Sequence, residues 1–357
     1  MIWRRVKGNQ LASMGGHLRH LGNGPNWAVV LTANEPSALV ICNVRWHLAT
    51  GAQAVHVYLD DPHDTVADTL AAIPQCRVTV CDEAYWADKR GKRGRPASQM
   101  RRQTINANVA KEAADTHWMF HIDADEFIWQ DKSLSDELAL VEDANTEVNL
   151  TVLERLFPDG GKQATLFEGV FRATADLPEE DQQAAYGPFA AMMKRGQYSH
   201  GAGKGGVRRS DPLRLGVHNA TEWRGDKWRR AARHVSTSAQ LLHFDGLTPL
   251  HWLVKVLRYR SNPADVQKVI LQRHRAAQMG WMGARIATFE QAAAAHQELF
   301  ALTAERRAQL EAFDLLREVP FDPRAVLGSD APDLSPAAFD ADLMSRNSWA
   351  GDFLGGV

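Results

Sequence analysis

Short apolar runs alternate with stretches of helical spacing over the first 150 residues of the chain. Trp27–Ala33 (WAVVLTA) is a short apolar run with β-branched residues, which predicts a buried strand. Pro36 suits the first turn of a helix. Leu39, Val40, Val44, His47 and Leu48 then recur at helical spacing to about Thr50, where Gly51 closes the helix. Ala54–Leu59 (AVHVYL) predicts a second strand, and Asp60-Asp61-Pro62 is turn chemistry. A short helix to Ala72 leads to a third strand over Cys76–Cys81. A helix from about Ser98 to Ala114 precedes a fourth strand, His117–Ile122 (HWMFHI), which runs into Asp123-Ala124-Asp125-Glu126.

Strands alternating with helices in this way imply an α/β fold with a mostly parallel sheet and helices on both faces. Crossovers of one hand bring the ligand edge to the carboxyl ends of the strands. Asn34-Glu35, Asp60-Asp61, Asp82-Glu83 and Asp123–Glu126 should therefore converge on one edge. After about residue 146 the alternation weakens. Val148–Leu153 reads as one strand, residues 158–215 as loops with short strands, and Gln240–Phe244 as a last strand. His251 to Arg317 is mostly helical, with a break near Pro263, and the tail from Pro320, which holds several Pro, Asp and Ser residues, is expected either to wrap the body or to be partly disordered. The expected organisation is a lead-in over 1–25, a catalytic domain over 26–248, a C-terminal helical extension over 249–318 and a tail over 319–357.

Composition narrows the class of molecule. With 357 residues, 45% apolar and 24% charged, the chain can bury a full core and is neither collagenous nor disordered. A net charge of −2 speaks against a whole-molecule polyanion binder, so no nucleic-acid partner is expected. Three cysteines without a CxxC pair fit a reducing compartment. No apolar run approaches a membrane span, and no apolar stretch follows the charged start, so the expected location is cytoplasmic.

The sharpest chemistry is Asp123-x-Asp125 just past a buried strand. Two carboxylates spaced by one residue at a strand end can face one cleft, and their oxygens suit Mg2+ or Mn2+. A bare Asp-x-Asp is common by chance, and its position at the ligand edge is what raises it above an acidic turn. Gln99, Gln103 and Asn106 line one face of the preceding helix. Two basic clusters remain. Lys89 to Arg102 holds seven cations in fourteen residues, and Trp223 to Arg233 holds five, interleaved with Trp223 and Trp228. Most charges of the first read as a mobile solvated loop, against closure over a diphosphate or contact with an anionic acceptor. In the second, aromatics beside cations suit sugar faces, lipid head groups or nucleic acid, and the two patches together allow a peripheral contact with the inner membrane leaflet.

HIDADEF resembles the signature of family-2-like glycosyltransferases of the GT-A fold. TANEPSALVICNVRWHLATGAQAVHVYLDD is similar to that family's first unit, with Asn34, Glu35, His47 and Gly51 at the matching places. GKGGVRRSDPLRLGVHNA and LLHFDGLTPLHWLVK also resemble family segments, so the likeness covers about residues 27–260. The resemblance implies transfer of a sugar from a nucleotide-sugar donor, UDP- or GDP-linked, to a glycan or glycolipid acceptor of the cell envelope. It implies Asp125 as a metal ligand and Asp123 as a contact to the ribose, or to the metal through water. His218 and His243 are both candidates to complete the metal site. The donor base and ribose would lie over Thr32, Asn34, Glu35 and Asp61, with Gln103 nearby. The chain departs from the family in having Ala33 where a Lys is usual, and in lacking a Gly after Asp61.

An inverting transfer needs a base for the acceptor proton. Asp245 and Glu154 are the candidates, with Glu168 a third. A metal-dependent phosphohydrolase built on Asp123 and Asp125 competes, but the chain has Phe127 where that pattern wants Thr or Val. A binding module for anionic ligands and a GT-A fold without activity compete as well.

Overall fold

The apolar run that opens the chain does form a strand, and the computed structural model describes it together with the rest of residues 24–158, 165–260, 272–328 and 331–350. The lead-in as far as residue 23, the break expected near Pro263 and the last seven residues of the tail lie outside the described residues. In chain order the first strands are β1 (Trp27–Ala33), β2 (Ala54–Leu59), β3 (Cys76–Val80), β4 (Trp118–His121), β5 (Glu126–Gln130) and β6 (Thr146–Leu150). They are followed by β7 (Val152–Pro158), β8 (Val170–Ala173), β9 (Lys204–Arg208), β10 (Thr221–Arg224) and β11 (Lys227–Arg230). The last are β12 (Ala232–Val235), β13 (Ala239–His243), β14 (Ala301–Leu302) and β15 (Leu316–Arg317). The first five helices are α1 (Ser37–Ala49), α2 (Val66–Ala71), α3 (Glu83–Arg90), α4 (Gln99–Ala113) and α5 (Leu134–Leu140).

The chain packs as two units that interleave along the sequence. The first takes the described parts of Met1–Thr151, with Gly203–Leu241 and Pro320–Pro332; the second takes the described parts of Val152–Ala202, Leu242–Val319 and Asp333–Val357.

The first unit is an α/β layer structure on a seven-stranded sheet of order β12-β6-β9-β4-β1-β2-β3. β1 runs parallel to β2 and to β4, β2 to β3, and β6 to β12. Only β9 opposes its neighbours β4 and β6. Side chains alternate across a strand, and β1 is buried on both faces, in keeping with a sequence that is apolar except at Thr32. Ala28 and Val30 pack with Met119 against Ala107, Ala110 and Ala114 at the α4 side, where alanines let helix and sheet approach closely. Val29 and Leu31 face the other way and are equally buried. Ser98 caps α4 by accepting from Arg101 N–H, and Asp82 and Ser133 cap α3 and α5 in the same manner. Residues 320–328 return to α1. Phe321 sits against Trp46 and Phe127 at ring distances of 4.5 and 5.0 Å, and Arg45 donates to Leu327 O.

The second unit carries β7, β8 and β15 as an antiparallel ribbon, with β14 added parallel to β7. Its helices are Glu179–Tyr186, Pro249–Arg260, Arg273–Arg285, Phe289–Phe300, Ala304–Ala312 and Pro336–Arg346. Leu156, Phe157, Tyr198, Trp252, Leu299 and Phe300 share one core, so the helices after residue 249 pack with these strands. The strand expected over 148–153 is two strands, β6 and β7, broken at Thr151 where the chain leaves the first unit. The alternating run Val148-Asn149-Leu150-Thr151-Val152-Leu153 reads as one strand and carries no mark of that change of partners. The helix Glu179–Tyr186, expected as loop, has a legible start in Pro178 followed by three acids in its first turn. Among the described residues no helix is long and apolar enough to cross a membrane.

Candidate functional site

Because β1, β2, β3 and β4 are parallel, their carboxyl ends open on one edge of the first unit. Thr32 and Asn34, Asp60 and Asp61, Cys81 and Asp123 stand there. The strand order is 3-2-1-4, so successive strands are added on one side of β1 and then on the other. The crevice outside the ends of β1 and β4 is the switch point where open α/β sheets bind ligands.

Asp123 lies at that point. Its Oδ1 accepts from Gln103 Nε2 at 2.7 Å and its Oδ2 from Lys204 Nζ at 2.7 Å. Lys204 also stands 3.3 Å from Glu126 Oε2, and the same carboxylate accepts the Asp123 N–H at 2.6 Å. Lys204 and Glu126 are wholly buried, whereas the Asp123 side chain is 28% exposed. Burial opposes ionisation of Asp123, yet the Lys204 ammonium beside it holds its carboxyl well below the usual range. Burial would lower Lys204, but Asp123 and Glu126 raise it above the ordinary lysine value. One cation thus serves two acids.

Lys204 reaches this place because β9 is inserted antiparallel beside β4. Gly206 pairs with Phe120, and a Cβ at Gly206 would overlap the Phe120 ring, so only glycine lets β9 lie so close. Beside it, His121 donates Nδ1–H to Gly216 O at 2.7 Å. Burial and the Lys204 charge push this imidazole down to about 4.

The loop carrying Asp125 is held from α1. The wholly buried Asn43 amide donates to Ala124 O at 3.0 Å and to Glu126 O at 2.8 Å, bracketing Asp125 through its neighbours' carbonyls. His47 Nε2 accepts the Ile128 N–H at 3.0 Å, which requires the tautomer whose Nδ1–H donates to Asn43 O at 2.8 Å. Trp46 Nε1 donates to Ile128 O at 3.0 Å. His47, which matched the resemblance, is therefore a clamp on the β5 backbone. Burial lowers it to about 4 and keeps it neutral.

The polar stripe on α4 divides. Gln103 and Asn106 are buried, and Asn106 links Thr32 Oγ1 at 3.0 Å to the Tyr85 hydroxyl at 2.6 Å. Gln99 is exposed. Asp60 takes a fork from Arg102 at 2.8 Å and a second cation from Arg95 at 2.9 Å. Arg102 further binds Pro96 O and Ala97 O, so part of the basic loop is structural. Asp61 accepts the His63 N–H at 2.9 Å in its own turn. Asn34 and Glu35 precede α1, partly buried. His218 Nδ1 contacts Gly203 O at 3.3 Å.

The remaining predicted residues belong to the second unit. Glu154 is wholly buried. It receives Arg172, the Tyr198 N–H at 3.0 Å, and the Ser199 N–H and hydroxyl at 2.8 and 2.6 Å. Burial opposes its ionisation, but Arg172 and the Ser199 bonds keep its pKa below the ordinary value. His243 Nδ1 lies 2.8 Å from Ser199 Oγ. That hydroxyl donates its proton to Glu154, so it accepts from His243 Nδ1–H, and Nε2 carries the lone pair. This is the tautomer a metal ligand needs. Asp245 pairs with Lys255 at 2.6 Å, and Glu168 offers its carbonyl to Arg155 at 3.4 Å.

Sequence reasoning passed over Lys204, Asn43 and His121. A single cation between glycines at the mouth of an apolar strand, in Gly203-Lys204-Gly205-Gly206, was the available signal for Lys204. A cleft of about 510 Å3 lined by Gly51, Gln53, Gln75, Arg77 and Asp115 holds none of the predicted catalytic, donor-binding or metal residues.

No family model and no curated protein matches the chain. Among solved structures, it is similar to GalNAc-T7 with UDP, GalNAc and Mn2+, at 9% identity and a TM-score of 0.34, over 71% of this chain and 57% of that one. It is similar to mannosyl-3-phosphoglycerate synthase from Rubrobacter xylanophilus at 13% identity and a TM-score of 0.28, over 57% of each chain. Glucosyl-3-phosphoglycerate synthase from Mycobacterium tuberculosis, in complex with Mn2+, UDP-glucose and phosphoglyceric acid, matches at 16% identity and a TM-score of 0.29, over 58% of this chain and 63% of that one. The chain spans less than two thirds of each of these structures, and likeness at this level carries no residue role across.

Proposed function

We propose that the chain is a metal-dependent glycosyltransferase of the GT-A type, moving a sugar from a UDP- or GDP-sugar to a glycan or glycolipid acceptor with inversion. The observation that carries this reading is the Asp123-Ala124-Asp125 loop at the switch point between β1 and β4, clamped by Asn43 and His47 and charge-balanced by Lys204. Hard carboxylate oxygens fit Mn2+ or Mg2+. Gln103 and Lys204 occupy both oxygens of Asp123 as donors, so Asp125 is the carboxylate assigned to the metal. His218 and His243 remain the candidate imidazoles, and the tautomer of His243 suits that role. A bound metal would supply Lewis-acid stabilisation of the leaving diphosphate.

Thr32, Asn34, Glu35 and Asp61 at the same edge are assigned to the donor base and ribose, and Asp123 to the ribose. Asp245 is assigned as the base that takes the acceptor proton, because the oxygens of Glu154 are taken up by Arg172, Tyr198 and Ser199. The reading places the enzyme in the cytoplasm, acting on cell-envelope material at the inner membrane face.

The test is a thermal-shift panel of nucleoside diphosphates with and without Mn2+, beside Asp125→Asn. A ligand at a hundred times its Kd stabilises the folded state by roughly 2.7 kcal/mol. We expect a shift with one diphosphate that needs Mn2+ and vanishes in the variant. No shift with any nucleotide, in a protein shown to be folded, overturns the reading in favour of an anion-binding module or an inactive fold.

A further inference from the structure

The hairpin formed by β10 and β11 leaves two tryptophans in water. Trp223 is 57% exposed and Trp228 is 45% exposed, and large apolar side chains grouped in this way need a partner. Trp223 pairs across the strands with Trp228, Arg224 with Lys227, Glu222 with Arg229 and Thr221 with Arg230. Directly opposed residues share a face and alternate pairs change face. One face therefore carries both indoles and Arg230, and Arg214 lies over the Trp228 ring at 5.2 Å from its centroid. The other carries Arg224, Lys227 and Arg229 around Glu222, which pairs with Arg224.

The hairpin is rigidly presented. Its tip is the two-residue Gly225-Asp226 turn, with Gly225 at φ 64° as a tight hairpin turn requires. Its base is tied by the Arg214–Thr221 backbone pair and the Ala231 N–H on Ala220 O, and Glu147 accepts from Ala220 N–H and Arg233. The stretch from Thr221 to Val235 holds five Arg and Lys against Glu222 and Asp226, in a chain whose net charge is −2. Cationic excess thus gathers on the element that exposes the indoles, as it also does over Lys89 to Arg102.

We propose that this hairpin docks the protein on an anionic phospholipid bilayer, seating Trp223 and Trp228 at headgroup depth with Arg230 and Arg214 beside them among the phosphates, while Arg224, Lys227 and Arg229 on the other face add to the attraction of the anionic surface. Indoles prefer that boundary, and clustered cations are drawn to an anionic leaflet. The two rings meet at 72°, so they form a wedge and not the single flat platform that stacks on a sugar ring. The inference gives a physical basis to action at the membrane face but uses none of the sugar chemistry. It stands or falls independently of the nucleotide panel.

The experiment is flotation of the full chain with phosphatidylcholine vesicles and with vesicles containing about 30 mol% phosphatidylglycerol, enough for a leaflet potential, following tryptophan emission. Binding to the anionic vesicles alone, with a blue shift and loss at high salt, is the expected result. Arg229→Glu with Arg230→Glu should weaken binding by at least about tenfold. Trp223→Ala with Trp228→Ala should abolish the blue shift, with an unchanged melting temperature showing that the fold is kept. Absence of flotation with anionic vesicles overturns the proposal, as does flotation unaltered in both variants. Equal binding to soluble heparin and to the vesicles, without a blue shift, also overturns it in favour of a polyanion or glycan contact.

Discussion

Lys204 Nζ lies 2.7 Å from Asp123 Oδ2 although 81 positions separate the two residues in sequence. The ammonium is wholly buried and also faces Glu126, so it is the counter-charge for the floor of the candidate site.

Removing that cation should leave two acids without compensation. Lys204→Met is expected to lower stability by about 3–5 kcal/mol, the usual loss when one partner of a buried ion pair is deleted. Urea denaturation at pH 7 measures it, and a loss below about 1 kcal/mol would show that water already screens the group. Combining Lys204→Met with Asp123→Asn should recover part of the loss.

Asn43 holds the loop that carries Asp125 through the carbonyls of Ala124 and Glu126. Asn43→Ala should cost about 2–4 kcal/mol, because Ala124 O and Glu126 O lose their donors. It should also weaken Mn2+ binding measured by calorimetry at a temperature where the variant is folded. Unchanged Mn2+ affinity in a destabilised variant would mean that the clamp serves the fold alone.

Glu154 and Asp245 can be told apart by stability. Glu154→Gln leaves Arg172 buried without its charge partner and should cost about 3–5 kcal/mol. Asp245→Asn, at a partly exposed pair with Lys255, should cost about 1 kcal/mol or less and remove sugar transfer. A stable, inactive Glu154→Gln protein beside a fully active Asp245→Asn protein would reverse the assignment.

Stability should fall as pH drops below about 6.5, the ordinary imidazole value. Burial holds His47 near 4 and His296 near 3 in the folded protein. A depressed folded value means that the unfolded chain binds protons first, so the contribution is complete above about 6.5 and is lost on the way down to the folded values. Each group can account for up to about 3 kcal/mol over that window. Urea midpoints between pH 7 and pH 4 should show the slope. His47→Gln, which keeps an acceptor for Ile128 N–H, should flatten it.

Much of the first sheet is legible along the chain, because strands buried on both faces write themselves as largely apolar runs, broken in β1 and β2 only by Thr32 and His56. β1 and β2 stand where WAVVLTA and AVHVYL predict, and α4 fills the span from Ser98 to Ala114. The edge shared by Thr32, Asp61 and Asp123 follows from parallel strand direction alone. Lys204 was hidden for a physical reason. Its role exists only once β9 is inserted between β4 and β6, and antiparallel insertion leaves no local periodicity. Glu154 was misleading in the opposite sense. An acid at the end of a strand looks available, and nothing nearby in sequence announces that Arg172 and Ser199 will claim it.

The place of β9 also orders events on the ribosome. Its neighbours β4 and β6 are made some fifty residues or more before it, and β6 has no other partner in this sheet except β12, which comes later still. Of this sheet, a nascent chain that ends before Lys204 can pair only β3, β2, β1 and β4, with a bare edge on β4 and with Asp123 and Glu126 lacking their cation. The middle of the sheet therefore closes after its flank, through contacts of long sequence separation that slow folding and expose strand edges while they wait. Only a chain that already includes Gly203–Arg208 can give the acidic loop the charge that lets it be buried.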